Sequence, residues 1–382
     1  MENNRIELTD RDLCIDILKG LGIILMVAGH CGAPFTNFIY LFHMPIFFLA
    51  SGYFYKASNS EDFHSVLKFL KKKIISLWFS YVIWTTCFTL LNNFFIKVNI
   101  YTNAPIFLEY VTGQNVLTNY MSLKEIVINI LLSFFLSGHT QLGGAFLFIA
   151  TLFKISVLYC FVDFIFFILF KKIYFRIIAQ FGFSLFLLCV GYYLSKNKVR
   201  IFSIVIVFSF YCLFYISYII KELNLERFKK NAFCIYGIVG SFIVLLFLSK
   251  FGTLALDRTE YLNPLFLLAC SLSGWFFIIS ISYFFNKINI LSNMLINIGR
   301  NTLPVVIFHF LLFKIINLIY TIIVGLPTIL VAEYPVLSHE KGCLILYLFV
   351  GLTGPIGLNL LYKKFLIFIR GKKNEDSISD AY

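Results

Sequence analysis

The amino-acid sequence predicts an all-α integral membrane protein with about ten transmembrane helices. Of its 382 residues, 60% are hydrophobic and 13% are charged, and the mean hydropathy is +0.87. A soluble domain carries about 25% charged residues, so this composition excludes an ordinary soluble fold. Ten apolar runs are also present, each close to the roughly 20 residues that a helix needs to cross a bilayer. These runs lie at about 13–31, 38–55, 74–96, 143–170, 176–194, 201–220, 232–249, 264–285, 303–325 and 343–362.

The basic residues predict how these helices are oriented. Cytoplasmic loops of membrane proteins carry an excess of Lys and Arg. Most of the 32 Lys and Arg residues fall on the cytoplasmic side if both termini are cytoplasmic, and they include Arg176 in the connection before the fifth run. The connection at 195–200 opposes this arrangement. The same distribution accounts for the net charge of +13 without a nucleic-acid partner.

The chain shows one kind of organisation throughout. We expect residues 1–382 to form a single polytopic membrane domain, with 365–382 as a short polar cytoplasmic tail and no extracytoplasmic soluble domain. In the longest connection, about 97–142, an apolar run from Ser122 to Leu136 predicts a re-entrant or interfacial helix over the outer mouth. The nine cysteines have no CxxC spacing, which indicates neither a metal site nor a disulfide framework.

The first apolar run carries three polar side chains on one helical face. At 100° per residue, His30 lies roughly 20° from Lys19 and roughly 40° from Asp16 around the helix. Ionisable groups inside an apolar span are costly unless they face a bundle interior or an aqueous cavity. This pattern predicts a polar site within the membrane. The alternative is a lone histidine at the helix end and an Asp16–Lys19 pair at the membrane interface.

Two further motifs carry polar residues into apolar runs. The second run contains Phe42-His43-Met44-Pro45 and Ser51-Gly52, and His43 is close enough in sequence to His30 for both to lie near the outer surface. The ninth run begins with Gly299-Arg300-Asn301-Thr302-Leu303-Pro304 and contains His309. A helix start with an arginine beside it is a candidate anion site facing the cytoplasm. The alternatives are an interfacial histidine and an ordinary capped membrane helix.

Together the three motifs make the chain resemble acyltransferase family three, the polytopic bacterial enzymes that acylate surface polysaccharides and related carbohydrates. The resemblance implies an acyl-CoA donor, usually acetyl-CoA, a glycan hydroxyl as acceptor, a catalytic role for His30 and a bacterial plasma (inner) membrane location. It also implies that the glycan acceptor is a surface or lipid-linked one. Membrane lipids and other surface-polysaccharide assembly proteins are the further expected partners, and nucleic acid is not expected.

The chain departs from the family pattern at two places. Members often have an arginine where this chain has Lys19. The compact ammonium group of lysine then replaces a planar guanidinium group, which can bind an anion through two nitrogens. Relatives tend to show Trp-Phe-Leu or Trp-Tyr-Leu at the start of the fourth span, where this chain has Gly143-Gly144-Ala145-Phe146-Leu147. We therefore expect a different acceptor pocket at that position.

These features combine into a hypothesis for the mechanism. Lys19 and His30 are separated by about 16 Å along one helix face, a length that an extended pantetheine arm spans. Lys19, with Arg11 and Arg300, is expected to hold the CoA phosphates, and Asp16 is expected to orient Lys19. His30 acts as a general base on the sugar hydroxyl or takes the acyl group first. No metal is expected. The expected acceptor-binding or supporting residues are His43, Ser51, Asn301 and His309.

Two rival functions remain open at this point. A transporter or flippase for lipid-linked glycans or small solutes would also use intramembrane Asp16 and Lys154 and helices broken by glycine and proline, such as Gly351 to Gly357. A polymerase or scaffold of polysaccharide assembly would require a long outer catalytic loop, and the 97–142 segment is moderate in length and poor in carboxylates. The spacing of Lys19 and His30 favours the CoA-dependent enzyme.

Overall fold

The computed structural model describes residues 10–107, 117–199, 203–223, 231–254 and 260–379. These residues form α-helices and short connections, and no β-strand occurs among them. The all-α membrane class predicted from the sequence is therefore confirmed. The helices are α1 (Asp10–His30), α2 (Thr36–Tyr40), α3 (His43–Tyr53), α4 (Phe63–Lys73), α5 (Phe79–Leu90), α6 (Asn92–Lys97), α7 (Leu123–Phe134), α8 (Phe146–Leu169), α9 (Ile173–Lys196), α10 (Ile204–Glu222), α11 (Asn231–Leu248), α12 (Pro264–Phe285), α13 (Asn289–Arg300), α14 (Thr302–Val324) and α15 (Lys341–Ser379).

Eight helical stretches within the described residues are long and apolar enough to cross a membrane. The π-helical turn Ile74–Trp78 joins α4 to α5, so these two helices form a single stretch. Helix α11 contributes a shorter apolar stretch, Cys234–Leu248. The eight longer stretches are Leu13–His30, Phe63–Leu90, Phe146–Leu169, Ile173–Lys196, Ile204–Glu222, Pro264–Phe285, Thr302–Val324 and Lys341–Lys364.

The second predicted span differs from a full-length membrane helix. Residues 38–55 form the end of α2 and the 11-residue helix α3, which at 1.5 Å per residue is about 16 Å long. Helix α3 is buried on nearly all sides, and Gly52 packs directly against the carbonyl oxygen of Phe214 on α10. A short helix is tolerated at membrane depth when protein surrounds it, because neighbouring elements then cover the backbone groups at its ends.

The helix predicted over the outer mouth is present as α7. Ser122 caps its N-terminus: its hydroxyl oxygen accepts from the Glu125 backbone N–H at 3.4 Å, and Glu125 accepts from the Ser122 backbone N–H at 2.7 Å. The backbone N–H of Ser122, and after it the Ser122 hydroxyl, donate to the Glu125 carboxylate and lower the pKa of this exposed group, because they favour its charged form. The helix exposes an apolar surface that includes Leu123 and Leu131.

Helix α1 is the central element of the bundle. It packs against α3, α12, α13, α14 and α15. Its Ile15 and Leu18 belong to an apolar core shared with α3, α10 and α12, whereas Ile23 and Val27 belong to a second core shared with α5, α14 and α15. Polar groups on α1 are therefore placed where the two cores meet.

Two glycines bring α1 and α13 into backbone contact. Gly20 lies against the carbonyl oxygen of Leu295, and Gly299 lies against the carbonyl oxygen of Asp16. A Cβ atom at either glycine would collide with the facing backbone, so only glycine permits this approach. The close crossing fixes the end of α13, and hence Arg300, beside Asp16.

Candidate active site

A charged cluster of Asp16, Lys19 and Arg300 lies where α1 meets the end of α13. Asp16 accepts hydrogen bonds from Lys19 Nζ at 3.0 Å and from Arg300 Nε at 3.1 Å. The Asp16 side chain is 15% exposed, whereas that of Arg300 is 49% exposed. One carboxylate thus holds two cations, and the guanidinium extends from the pair toward the surface.

Other predicted donor-site residues lie at different places relative to this cluster. The ammonium of Lys19 also lies 4.4 Å from the centre of the Phe54 ring, which directs it toward the end of α3. Arg11 belongs to α1, but its side chain lies outside the described residues. Asn301 donates to the Asn297 carbonyl at 2.8 Å and accepts from Asn359 at 2.8 Å, so it ties α13 to α15.

A histidine cluster of His30, His43 and His309 lies at the other end of α1. The rings of His30 and His309 stack with centroids 5.3 Å apart and an interplanar angle of 26°. His43 is close enough to His30 for the two rings to interact electrostatically. His309 and His43 are buried, whereas His30 is partly exposed. His30 is therefore the accessible member of the three.

Hydrogen bonds fix the tautomers of the two buried histidines. His309 Nδ1 lies 2.8 Å from the Val305 carbonyl oxygen, and His43 Nδ1 lies 3.1 Å from the Ile39 carbonyl oxygen. A carbonyl oxygen only accepts, so Nδ1 carries the proton in both rings and Nε2 of the neutral ring is an acceptor. The Nε2 atom of His309 is buried without a hydrogen-bond partner. Such an atom can accept a hydrogen bond from a hydroxyl group.

Aromatic rings enclose the histidine cluster. The Phe310 ring lies 4.9 Å from that of His30 and 4.0 Å from that of His309. Tyr40 lies 5.0 Å from His43 between ring centres, and its hydroxyl donates to the Gly29 carbonyl at 3.1 Å. The Tyr334 ring lies 4.8 Å from that of Phe310. These rings form an apolar enclosure that is suited to excluding water from a reacting group.

The structure brings most, but not all, of the predicted site residues together. Asp16, Lys19 and Arg300 meet at the N-terminal half of α1, and His30, His43 and His309 meet at its C-terminal end. Ser51 is partly buried on α3, eight residues and about 12 Å along the helix from His43. It therefore lies away from the histidine cluster.

Sequence reasoning missed the 326–340 loop, the connection between α14 and α15. Lys314 is buried and donates to the carbonyl oxygens of Ala332 at 2.9 Å and Glu333 at 2.7 Å. Burial raises the pKa of the Glu333 carboxyl to about 7, and the attraction of Lys314 opposes this shift. The sequence did contain a signal for this contact: Lys314 lies inside an apolar run, and a charged group there requires a polar partner.

A buried ion pair was also missed. Arg176 lies in the first turn of α9 and bonds Asp163 on α8 through two nitrogens, at 2.6 and 3.0 Å. Ser60 donates to the same carboxylate. The count of basic residues in the sequence had placed Arg176 in the cytoplasmic connection before the fifth apolar run. Its pairing inside the bundle shows that a charge beside an apolar run can turn inward when a carboxylate on the next helix receives it.

The fold and this site are those of a polytopic membrane protein with an internal polar site, and the comparison with known proteins defines its class. A family model described as an acyltransferase domain matches residues 12–338. The chain belongs to acyltransferase family 3, and it is a membrane acyltransferase. No curated protein and no solved structure matches the chain. The matched range contains both clusters and nearly all of the 326–340 loop, and the match favours an enzyme over the transporter and scaffold hypotheses.

Proposed function

We propose that the protein is an O-acyltransferase that moves an acyl group, expected to be acetyl, from cytoplasmic acyl-CoA to a hydroxyl of a cell-surface or lipid-linked glycan. One observation carries the proposal. Helix α1 holds a charged cluster in its N-terminal half and a histidine cluster at its C-terminal end, and the eleven residue steps from Lys19 to His30 correspond to about 16 Å. An extended pantetheine arm connects phosphates and thioester over such a length.

The charged cluster is suited to the phosphate end of the donor. Arg300 is half exposed and Lys19 is partly exposed, so both present donors to an anion while Asp16 fixes their positions. Guanidinium and ammonium groups bind phosphate through charge-assisted hydrogen bonds. In this proposal the charged cluster faces the cytoplasm, as the distribution of basic residues predicts, and the enzyme lies in the bacterial plasma membrane.

The histidine cluster supplies the acid–base chemistry. The hydroxyl oxygen of the acceptor attacks the thioester carbonyl, His30 takes the hydroxyl proton, the C–S bond breaks, and the imidazolium returns the proton to the CoA thiolate. In the alternative route, His30 attacks first and releases CoA, and the acyl-imidazole then passes its acyl group to the hydroxyl. Both routes leave an O-ester and free CoA thiol.

Binding of acetyl-CoA to the purified protein in nanodiscs tests the donor half of the proposal. We expect saturable binding that is weakened by Lys19→Ala. Lys154→Ala is the matched control, since Lys154 lies in another candidate span and bonds Ser203. Absence of binding by well-folded wild-type protein would contradict the proposal.

Transfer assays with His30→Ala test the acceptor half. We expect this variant to bind acetyl-CoA as the wild type does and to transfer no acetyl group to glycan. Rapid quenching of the wild type with radiolabelled acetyl-CoA in denaturant near neutral pH separates the two routes, because label covalently bound at His30 is expected only for the acyl-imidazole. Normal turnover by His30→Ala would remove His30 from the mechanism.

A further inference from the structure

We propose that Tyr334 is the specificity-determining residue of the acceptor site, where its ring supports the sugar whose hydroxyl reaches His30. This inference rests on the proposed function and adds a residue that the sequence motifs do not contain. Four observations support it: the place of Tyr334 beside the histidine cluster, its partial exposure, the buried bonds that hold its loop, and the glycine that makes room for its hydroxyl.

Tyr334 lies one ring away from the proposed reaction centre. Its ring centre is 4.8 Å from that of Phe310, which in turn lies 4.9 Å from His30. Phe310 is buried, whereas Tyr334 and His30 are both partly exposed. In the proposed arrangement, a sugar that reaches His30 from outside the bundle contacts Tyr334 as well.

The chemistry of a tyrosine ring matches that of a sugar. A pyranose has an apolar face of C–H groups and a rim of hydroxyls, and tyrosine presents an apolar face with one polar end. Ligand sites are typically lined by aromatic rings with a few polar groups that fix orientation. In this arrangement the Tyr334 ring supports the sugar and the histidines receive its hydroxyl.

The loop that carries Tyr334 is held rigidly to α14. Lys314 binds the carbonyl oxygens on either side of the Ala332–Glu333 bond. Asn317 donates to the carbonyl oxygens of Val331 and Glu333 and accepts from the backbone N–H of Leu337 at 3.2 Å.

These bonds bracket Tyr334 on both sides along the chain. The end of the loop is also close to the site, since His339 lies against Gly32, two residues beyond His30. A side chain held in this way is preorganised for a ligand, which reduces the entropy lost on binding.

Gly144 makes room for the Tyr334 hydroxyl. A Cβ atom at Gly144 would collide with the hydroxyl oxygen of Tyr334, whereas the ring carbon that bears this oxygen is 3.4 Å from the same Cβ position. A larger residue at position 144 would therefore displace the Tyr334 ring from its place beside Phe310.

The test measures transfer of labelled acetyl from acetyl-CoA to the envelope-glycan fraction of the expressing cells, with enzyme in nanodiscs. We expect Tyr334→Ala to raise the KM for glycan about tenfold, the effect of losing one aromatic contact, while acetyl-CoA binding stays within about twofold of wild type. The matched control is Tyr320→Ala. Tyr320 lies on α14, its hydroxyl donates to Glu340 at 3.1 Å, and it lies away from Phe310. An unchanged KM with intact acetyl-CoA binding would overturn the role of Tyr334 alone.

A second pair of variants keeps the proposal testable if Tyr334→Ala does not fold. Gly144→Ala should raise the KM for glycan by displacing the Tyr334 ring, and adding Tyr334→Phe should restore it, because the colliding oxygen is gone. A general structural defect would weaken acetyl-CoA binding as well as raise the KM for glycan, so acetyl-CoA binding is measured in the same variants and is expected to stay at the wild-type level. Absence of rescue would overturn the proposal. Loss of acetyl-CoA binding in the wild type would instead contradict the proposed function, and the acceptor role with it.

Discussion

His30 and His309 stack with their ring centres 5.3 Å apart, although they come from opposite ends of the sequence. His30 is the last residue of α1, and His309 lies in the second turn of α14. The pair exists because α1 is the central helix and α14 packs beside it. One ring is partly exposed and the other is buried, so the buried ring is placed to position the accessible one.

The first prediction is that His309→Phe lowers kcat about tenfold or more, with little change in acetyl-CoA affinity. Phenylalanine keeps a ring next to His30 but loses the Nδ1–H bond to the Val305 carbonyl oxygen, which fixes how the ring at position 309 stacks on His30. Loss of correct orientation at a reacting group costs rate rather than ground-state binding. Steady-state transfer kinetics and acetyl-CoA titration together check this split.

His64→Phe is the control for that variant, because His64 is an exposed residue of α4. It should leave both parameters unchanged. If His309→Phe turned over at the wild-type rate, His309 would have no part in positioning His30.

The second prediction separates the phosphates of the donor from its thioester arm. Arg300→Gln should weaken acetyl-CoA binding about tenfold, as expected for one charge-assisted contact. Acetyl-pantetheine carries neither the diphosphate nor the 3′-phosphate of CoA, so its binding should be unaffected. Isothermal titration with both ligands measures the difference.

Lys287→Gln is the matched control, since Lys287 lies just before α13, the helix that ends at Arg300, and is not one of the three residues of the charged cluster. It should bind both ligands as the wild type does. Equal weakening of both ligands by Arg300→Gln would show that Arg300 acts on the fold of the site rather than on phosphate.

The sequence predicted that Asp16 and Lys19 share one face of α1, because helix geometry is local. A helix places Asp16 and Lys19 three residues apart on one face, and the structure has them paired at 3.0 Å. The meeting of Arg300 with Asp16 was not predictable in the same way. It depends on the approach of α13 to α1, which two glycines permit and which no periodicity within one helix describes.

The 326–340 loop illustrates the limit of such prediction. Lys314 inside an apolar run signals that a buried partner exists, but its partners are mostly backbone carbonyl oxygens of a loop that folds back onto the helix. Backbone groups have no sequence signature. For the same reason Tyr334 could not be assigned to the site, since its place beside Phe310 is set by that loop.

The third prediction concerns the helix crossing. Gly299→Ala should destabilise the protein by about 1–3 kcal/mol, the usual cost of overpacking a tight contact, because its Cβ would collide with the Asp16 carbonyl oxygen. Gly182→Ala on α9 is the control, since no atom lies within 4 Å of its Cβ position and alanine favours a helix. Thermal unfolding in detergent measures both. Equal stability of the two variants would contradict the close crossing of α1 and α13.

The fourth prediction is a dependence of stability on pH that arises from Glu333. Burial raises the pKa of this carboxyl from 4.5 to about 7, so the folded protein holds the proton more tightly than the unfolded chain does. Protonation therefore favours folding. The stabilising contribution is fully present below about pH 4.5 and is lost as the pH rises through about 7. Glu333→Gln cannot titrate, so the thermal stability of the wild type relative to this variant should fall between pH 5 and pH 8.

Tryptophan fluorescence on heating, with the protein in nanodiscs, follows this difference, since Trp275 is buried in the core. Glu340→Gln is the control because Glu340 belongs to the same loop but is exposed. Its stability relative to wild type should not change over that range. A constant difference between the wild type and Glu333→Gln from pH 5 to pH 8 would mean that Glu333 keeps one protonation state, and that Lys314 outweighs the effect of burial on the carboxyl.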